Sequence, residues 1–434
     1  MKKNLNYKEA QLILDQYEAR SMHGQLPVLW KKALGDIIVD SENKKYIDFT
    51  STIFVANIGH SNISIKIAIL RVVFSNLIHS YTYLNKFRVK YIESLVKFCG
   101  PSFEKAYLAS SGTEATETSL KLMRMYGLKV SKKKKPGIIS IKGNYHGRTL
   151  GAFMMSGFPD AKWWIGFKDP NIYFINFPYP WEINEKNGSK FFKDEIEKLK
   201  NSGVNVKTDI SGIILESFQG WGALFYPKSF ITEIKNFCKK NQILITFDEM
   251  QAGFYRTGKK FGFNHYNINP DIICIGKGMG SGMPLSGVVS TKKILDLPGP
   301  GELSSTNSAN PLVCSAGLAT LNVMNTSKFL NSLERNCKIF KEKLNEIELT
   351  FKGRIKVYGK GMIKSIIFYD KEGKPDIKTA NDVVEDLLQN KLLVVKTGRE
   401  SIKLGPPLNM SKKNLINGLA IINKSLKKIL NDTI

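Results

Sequence analysis

The sequence lacks any close pairing of cysteines. Its five cysteines, at positions 99, 238, 274, 314 and 337 of 434, are scattered along the chain and odd in number. Zinc sites and dithiol redox sites bring cysteines together at short, regular spacings, and no such spacing occurs here. We therefore expect no metal site, and we expect buried, reduced thiols in a cytoplasmic protein.

Long apolar runs are also absent. No stretch approaches the roughly 20 apolar residues that cross a membrane, and no apolar segment follows Met1, Lys2 and Lys3. We therefore expect neither a membrane span nor a signal peptide. Hydrophobic residues make up 42% of the chain and charged residues 24%, which is typical of a folded globular protein.

Acidic residues are few relative to basic ones, 38 against 64, and the net charge is +26. A surplus of this size is compatible with a polyanion partner, so a non-catalytic protein that binds nucleic acid is one hypothesis. Lysines are spread along the whole chain, however. The one dense basic run, residues 132–135, is typical of a solvated loop between a helix and a strand. We therefore do not expect nucleic acid as a partner.

The chain divides into three stretches of different texture. Residues 1–63 predict a helix followed by a hairpin. Residues 64–312 alternate short apolar runs with helical patterns, which predicts a mostly parallel sheet covered by helices on both faces. Residues 313–434 combine long helical patterns with short strands. We predict an α/β fold with a large domain over 64–312 and a small α+β domain built from the N- and C-terminal stretches.

The individual predictions are as follows. Strands are expected at 37–40, 45–48, 105–108, 137–141, 172–175, 213–215, 243–247, 272–275, 354–358, 365–369 and 392–396. Helices are expected at 7–20, 115–125, 191–199, 230–239, through 337–348, and at 411–430.

Lys277 follows the apolar run 272–275 and lies between Gly276 and Gly278. A lysine at the carboxyl end of a strand, flanked by glycines, can be approached closely by a ligand. Desolvation there lowers the pKa of the amine and makes it available for a Schiff base. Taken alone, the segment fits a surface lysine in a glycine-rich turn better.

Asp248 supports a ligand site near Lys277 because it follows another apolar run, 243–247. A carboxylate at that strand end lies in the crevice where open α/β sheets bind ligands. It can pair with the pyridine nitrogen of pyridoxal 5'-phosphate and keep the ring protonated. Gln251 is then placed to bond the ring hydroxyl. The alternative is that Asp248 and Glu249 cap a helix.

A phosphate site is expected where Ser111, Gly112 and Thr113 precede the helix 115–125. Free N–H groups and the helix dipole favour an anion at such a start. Ser111 and Glu114 also form a capping-box pattern, and both interpretations can hold together. Tyr145, in the segment 144–149, could cover one face of the cofactor ring, and His146 could support the residues that contact the cofactor. Taken alone, such a Tyr-His pair fits a structural role better.

Taken together, these segments resemble the class III, or subgroup II, aminotransferases of the fold type I pyridoxal-phosphate superfamily. The most specific part is FDEMQAGFYRTG at 247–258, followed by GKG at 276–278. The resemblance extends from 46–48 and GHS at 59–61 to PPL at 406–408.

The resemblance implies a role for each matching residue. Lys277 is the Schiff-base lysine and proton carrier, Asp248 pairs with the pyridine nitrogen, and Gln251 lies near the ring oxygen. Cofactor contacts are expected from Ser111, Gly112, Thr113, Tyr145, Glu216, Asp248, Gln251 and Lys277. Thr306 is implied to reach the cofactor phosphate of a neighbouring subunit, so a homodimer is expected.

Two positions on the substrate side depart from the family pattern. Trp221 stands where many ω-aminotransferases have a glutamate gate, and Lys403 where many have an arginine. Lysine cannot make the planar two-pronged contact of arginine to a carboxylate. We therefore expect a departure from the usual preference for α-ketoglutarate and glutamate. A smaller acceptor such as pyruvate fits, as do sulfonate or phosphonate amines.

The expected activity is a ping-pong transfer of an amino group from an amine or ω-amino acid to a keto acid. Aminomutases and phospho- or ammonia-lyases on the same scaffold remain the alternative, because they share Lys277 and Asp248. A non-catalytic polyanion-binding protein is a third and weaker hypothesis.

Overall fold

The computed structural model describes residues 5–22, 26–81 and 83–431. The helices are α1 (Tyr7–Tyr17), α2 (Ser51–Phe54), α3 (Ile63–Val73), α4 (Lys86–Cys99), α5 (Gly112–Lys129), α6 (Leu150–Met155), α7 (Gly188–Asn201), α8 (Val206–Asp209), α9 (Lys228–Asn241), α10 (Lys292–Leu295), α11 (Pro311–Met324), α12 (Ser327–Thr350), α13 (Ile377–Gln389) and α14 (Lys412–Asn431).

The strands are β1 (Trp30–Leu34), β2 (Ile37–Asp40), β3 (Lys45–Asp48), β4 (Lys105–Ala109), β5 (Gly137–Ile141), β6 (Ile172–Ile175), β7 (Ile210–Glu216), β8 (Phe218–Gln219), β9 (Leu224–Phe225), β10 (Leu244–Asp248), β11 (Ile272–Ile275), β12 (Ser286–Ser290), β13 (Ile355–Lys360), β14 (Ile363–Phe368), β15 (Leu392–Leu393), β16 (Val395–Lys396) and β17 (Ser401–Leu404).

The largest sheet has seven strands in the order β4-β12-β11-β10-β7-β5-β6. β12 runs antiparallel to both of its neighbours, and the other pairs are parallel. Every residue of β5, β7, β10 and β11 is buried. Strands covered on both faces carry continuous apolar runs, which is why they could be found in the sequence. The predicted mostly parallel sheet is confirmed.

Helices cover the two faces of this sheet. Ile214, Leu244 and Ile272 belong to the core cluster that α5 shares. Ile213 and Ile245, which point to the opposite face, belong to the cluster that includes residues of α9. This alternation follows from the two-residue period of a strand.

Two smaller sheets involve both ends of the chain. The hairpin β2–β3 forms as predicted, and β15 pairs with β3 in parallel, so the C-terminal stretch completes the N-terminal sheet. β13, β14, β17 and β16 form an antiparallel sheet next to α12 and α13. The division of the chain at residues 63 and 312 stays a prediction, and its second boundary falls within α11.

Two local predictions need correction. Residues 392–396 form two strands in different sheets, because the chain crosses from β3 to β17 between Leu393 and Val395. Residues 132–135 do lie between α5 and β5, but the loop is not wholly solvated. Lys133 is buried, and its amine donates to the carbonyls of Lys207 and Asn241 at 2.7 and 2.6 Å.

Within the described ranges, no helix is both long and apolar enough to cross a membrane.

Candidate active site

Three ionisable side chains meet at the carboxyl edge of the large sheet. Glu216 ends β7, Asp248 ends β10, and the two are paired in the register of these parallel strands. Lys277 follows Gly276 just beyond the end of β11. Neighbouring parallel strands end at one edge, so the fold brings together three residues that are distant in the sequence.

Lys277 occupies an unusual environment for an amine. Its side chain is half-buried, and desolvation lowers the pKa of the amine from its usual value. The nearby carboxylates of Asp248 and Glu216 oppose this shift only in part. The backbone φ of Lys277 is 46°, a left-handed conformation that L-residues adopt at some cost and that clusters at ligand sites.

Asp248 is held in place by two contacts. Its Oδ2 lies 2.9 Å from Nδ1 of His146, and its Oδ1 accepts the N–H of Met250 at 3.0 Å. Both Asp248 and His146 are buried. No helix begins at Asp248, because turns follow β10, so the helix-cap alternative is wrong. The carboxylate is instead fixed at the strand end, against the ring of His146.

Glu216 begins a short series of hydrogen-bonded polar side chains. Its carboxylate accepts the N–H of Tyr145 at 3.0 Å and the Nε2 of Gln251 at 3.2 Å. Gln251 in turn accepts from Nζ of Lys403 at 3.0 Å. Burial, followed by repulsion from Asp248, raises the pKa of Glu216 to about 7.

Lys403 is the last residue of this hydrogen-bonded series and is also buried. Burial lowers the pKa of its amine to about 8; Glu216 raises it and Lys277 lowers it further. Lys403 Nζ also lies 5.0 Å from the ring centroid of Phe54. The site therefore contains two amines whose protonation is disfavoured by burial, Lys277 and Lys403.

The start of α5 forms a second wall. Ser111 caps the helix, and Glu114 completes the capping box, as predicted. The N–H groups of Gly112 and Thr113 belong to the first turn and have no intrahelical acceptor. The Thr113 hydroxyl lies 2.6 Å from that of Thr149. These free donors at a helix start can receive an anion.

Tyr145 lies at the rim of this cleft. Its N–H bond to Glu216 ties the segment to the end of β7. The half-buried ring packs edge-on against Phe158, with centroids 6.4 Å apart, and the Arg148 guanidinium lies 5.9 Å from it.

These residues fit pyridoxal 5'-phosphate. A desolvated amine, a buried carboxylate and free N–H donors at a helix start match its aldehyde, its pyridine nitrogen and its phosphate. Two glycines keep the cleft walls close together: a Cβ on Gly112 or on Gly276 would come within 2.8 or 2.6 Å of the Met250 sulfur.

Comparison with known proteins identifies the family. The sequence profile of the family described as Aminotransferase class-III matches residues 18–426. The chain belongs to the class-III aminotransferases. The acetylornithine/succinyldiaminopimelate aminotransferase of Buchnera aphidicola subsp. Schizaphis graminum is 30% identical over 402 residues, covering 92% of this chain and 93% of that protein. The probable 4-aminobutyrate aminotransferase of Bacillus subtilis is 30% identical over 427 residues, covering 95% and 96%.

Solved structures agree on the fold. The ornithine aminotransferase from Toxoplasma gondii superposes with a TM-score of 0.86 at 23% identity, covering 99% of this chain and 97% of that one. The predicted fold type I architecture is confirmed. This class-III aminotransferase depends on pyridoxal 5'-phosphate and moves an amino group from an amino donor to a keto acid, as predicted.

Among the described residues, two other predicted residues of this aminotransferase, Trp221 and Thr306, make no hydrogen bond to Lys277, Asp248 or Glu216. Trp221 follows the segment that holds Glu216, and its Nε1–H donates to Oε1 of Gln219 at 2.6 Å. Thr306 is exposed. The neighbouring Ser305 bonds Glu114 of α5 at 3.0 Å.

Three residues near the site were not identified from the sequence. Glu249 accepts bonds from the hydroxyl of Ser217 and from the N–H groups of the 262–263 segment, and burial raises its pKa to about 7. Arg256 is fully buried and donates hydrogen bonds to Asn57 and to the carbonyls of Met362 and Pro406. Arg399 stacks on Trp221. Glu249 and Arg256 lie in the segment 247–258, the most specific part of the family resemblance. The sequence suggests only a helix-cap role for Glu249 and no role for Arg256. Arg399 lies in a loop without a motif, so nothing in the sequence indicated it.

Proposed function

We propose that this aminotransferase carries its cofactor on Lys277 and uses the same amine to move a proton between substrate and cofactor carbons. The position of the amine carries the assignment: Lys277 follows β11 at the sheet edge where Glu216 and Asp248 end their strands, and burial there lowers the pKa of the amine. A neutral amine can act as a nucleophile and as a base, whereas an ammonium can do neither.

The other residues around the cleft orient the cofactor and keep its ring nitrogen protonated. Pyridoxal phosphate, when bound, supplies a protonated ring that accepts the electron pair left when the substrate loses its proton. We assign Asp248, held by His146, to keeping the proton on the ring nitrogen. Gln251 is assigned to the ring oxygen, and Tyr145 to one ring face. Glu216 holds Gln251 and the Tyr145 backbone in place.

The phosphate is assigned to Ser111, Gly112 and Thr113, and to Thr306 of a second copy of the chain. The support for a homodimer is an apolar stripe on α3. Ile63, Ile67, Leu70, Val73 and Phe74 share one face of this helix, and between 39% and 79% of each is exposed. α11 packs against α3. A second copy would cover the stripe.

The substrate side of the site is assigned to Lys403 and Trp221. We infer that Lys403 pairs with the carboxylate of the keto acid as a single point charge, which suits a small acceptor such as pyruvate. Two relatives are named for acetylornithine and 4-aminobutyrate. We infer a donor of the same class, an amine that also carries a carboxylate.

We also propose that the protein acts in the cytoplasm. The five cysteines are free thiols in the structure, and four of them are buried. A reducing compartment suits such a set.

The assignment of Lys277 is tested by borohydride reduction of the purified holoenzyme, followed by peptide mass mapping. The expected result is one pyridoxyl group, on the peptide that contains Lys277. Lys277→Ala should bind the cofactor without becoming labelled and should lose turnover, because neither the covalent link nor the proton carrier remains.

Lys162→Met is a matched control. Burial also lowers the pKa of Lys162, to about 8, but its amine donates to the Met154 carbonyl. This variant should still be labelled at Lys277. A pyridoxyl group on any other lysine of the wild-type enzyme contradicts the assignment.

A further inference from the structure

Three lysines lie around one pair of aromatic rings, and none of them has been assigned to the cofactor or to the substrate. The Nζ of Lys360 is 4.7 Å from the ring centroid of Phe225. That ring packs edge-on against His265, with centroids 5.5 Å apart. The Nζ of Lys259 donates to the carbonyl of Asn264, the residue before His265, at 3.1 Å. Two ammonium groups from different segments therefore lie beside the same rings.

Lys228 is the third member of this group. It is the first residue of α9, three positions after Phe225. Burial lowers the pKa of His265 to about 4, and the charges of Lys360, Lys259 and Lys228 all contribute to this shift. Burial also lowers the pKa of Lys360, and Lys228 and Lys259 lower it further. The three ammonium groups are therefore close enough to repel one another.

The protein supplies little negative charge to offset this repulsion. Among the residues that the structure describes, none of the three lysines forms an ion pair through its Nζ. Glu185 raises the pKa of Lys360, so it lies in the same region. However, its two carboxylate oxygens accept the backbone N–H groups of Lys228 and Ser229, at 2.8 and 3.1 Å. This carboxylate is therefore engaged in holding the first turn of α9.

Lys360 is the most unusual of the three. Its side chain is half-buried, and within the described ranges its Nζ has no hydrogen-bond acceptor. An ammonium that loses part of its hydration is normally compensated by hydrogen bonds or by an opposite charge. The contact with the Phe225 ring contributes only about 0.5–2 kcal/mol. The amine is therefore placed to receive an anion without giving up another bond.

The position of Lys360 is fixed by the turn between β13 and β14. Lys360 is the last residue of β13. A Cβ on Gly361 would overlap the carbonyl carbon of Thr257, so the two backbones are in direct contact. The N–H of Met362 also donates to a carbonyl of the segment 256–258, at 3.0 Å. The three lysines thus come from three separate parts of the chain that are packed together.

We propose that Lys228, Lys259 and Lys360 bind a small dianion of the phosphate type, either free phosphate or the phosphoryl group of a phosphate ester. A compact dianion can contact several ammonium groups at once and offset their mutual repulsion. Bound there, it would link α9, which packs on the large sheet, to the β13–β14 turn of the antiparallel sheet.

The test is chemical labelling of amines in the holoenzyme, in which the cofactor occupies its own phosphate site. Limited acetylation with acetic anhydride, followed by peptide mass mapping, gives a rate for each lysine. The rates are compared in phosphate, in glycerol 3-phosphate and in chloride at equal ionic strength. A bound dianion should slow labelling of Lys360 about tenfold, because raising its pKa by about one unit leaves a tenth of the neutral amine. Lys228 and Lys259 should be protected as well.

Lys162 is the matched control within the same protein. It is also half-buried, its Nζ is 4.4 Å from the ring centroid of Phe174, and burial lowers its pKa to about 8. Its amine, however, donates to the Met154 carbonyl at 2.8 Å. Labelling of Lys162 should therefore be the same in all three salts.

Variants then test whether the three lysines form one site. Lys360→Gln should remove the phosphate protection of Lys228 and Lys259, whereas Lys162→Gln should leave it in place. Protection by phosphate alone supports a site for the free ion, and protection by both probes supports a site that also accepts phosphate esters.

Equal labelling of Lys360 in phosphate and in chloride overturns the proposal, and so does an equal slowing at Lys162, because ionic strength and general salt effects would then suffice. Neither result affects the proposed function, which is tested separately by the pyridoxyl label at Lys277.

Discussion

A buried ammonium at position 403 gives the site a pH dependence that a guanidinium cannot give. Burial lowers the pKa of Lys403 to about 8, while arginine keeps its charge to a pH above about 12. Glu216, Lys277, Gln251 and the Phe54 ring surround the amine. Below pH 8 the amine is charged and can attract a carboxylate, and above pH 8 this charge is lost.

The keto acid half-reaction should therefore weaken in alkali. With pyruvate and the amine form of the enzyme, the apparent Kd should rise about tenfold for each pH unit well above 8. Propanal, which lacks the carboxylate, should show no such rise. In Lys403→Arg the rise should move above pH 10. Stopped-flow absorbance at several pH values measures these constants. If the apparent Kd of pyruvate for the wild-type enzyme stays constant up to pH 10, Lys403 does not have this role.

At the scale of elements, α2 is a single turn in which four consecutive residues have positive φ, from 46° at Ser51 to 73° at Phe54. Left-handed turns are costly for L-residues, so neighbouring contacts must stabilise this one. Arg256 is the main contact. Its guanidinium donates to Asn57 at 2.6 Å and to the Pro406 carbonyl at 2.5 Å, and more weakly to Ser51 at 3.3 Å.

Arg256→Met should lower the free energy of unfolding by about 3 kcal/mol, because several buried acceptors lose a charged donor. This loss should exceed the gain from no longer burying a cation. Urea unfolding followed by fluorescence gives the value. Arg354→Met is the control: Arg354 is half-buried, and its Nε bonds the Tyr369 carbonyl, so about 1 kcal/mol is expected. Equal losses in the two variants contradict the special role of Arg256.

Some helices and strands could be predicted from the sequence, and others could not. β5 and β11 match their predicted bounds because buried parallel strands are continuous apolar runs. β17 went unpredicted because its buried side chains include Ser401 and Lys403, whose burial depends on partners elsewhere in the chain. α11 also went unpredicted: it is apolar on nearly all sides and lacks the periodicity of an amphipathic helix.

Some contacts of the candidate site could also be expected from the sequence, and others could not. Glu216, Asp248 and Lys277 each end or follow a strand, and strand ends of a parallel sheet converge, so their meeting could be expected. The bond from Lys403 to Gln251 and the stack of Arg399 on Trp221 join segments far apart in sequence. Such contacts depend on the packing of the C-terminal sheet against the large one, which no local pattern encodes.

At the scale of the whole molecule, subunit pairing decides whether each active site is complete. The α3 stripe offers a surface for a second copy, and Thr306 is exposed on its own subunit. If Thr306 serves the neighbouring site, the phosphate cup is shared between chains. If it serves its own site, each chain is complete alone. These two arrangements differ in how defects in separate chains combine.

Co-expression of two inactive variants distinguishes them. Lys277→Ala lacks the amine, and Thr306→Asp sets a carboxylate against the phosphate, so neither homodimer should be active. In a mixed dimer, the subunit with Lys277 receives an intact Thr306 from its partner. Random pairing then leaves about a quarter of all sites complete, because half of the dimers are mixed and each has one good site. Activity near a quarter of the wild-type value is therefore expected. Adding Leu70→Glu and Phe74→Glu to both chains should abolish it by separating the subunits. No gain over the Thr306→Asp homodimer means that Thr306 does not reach across.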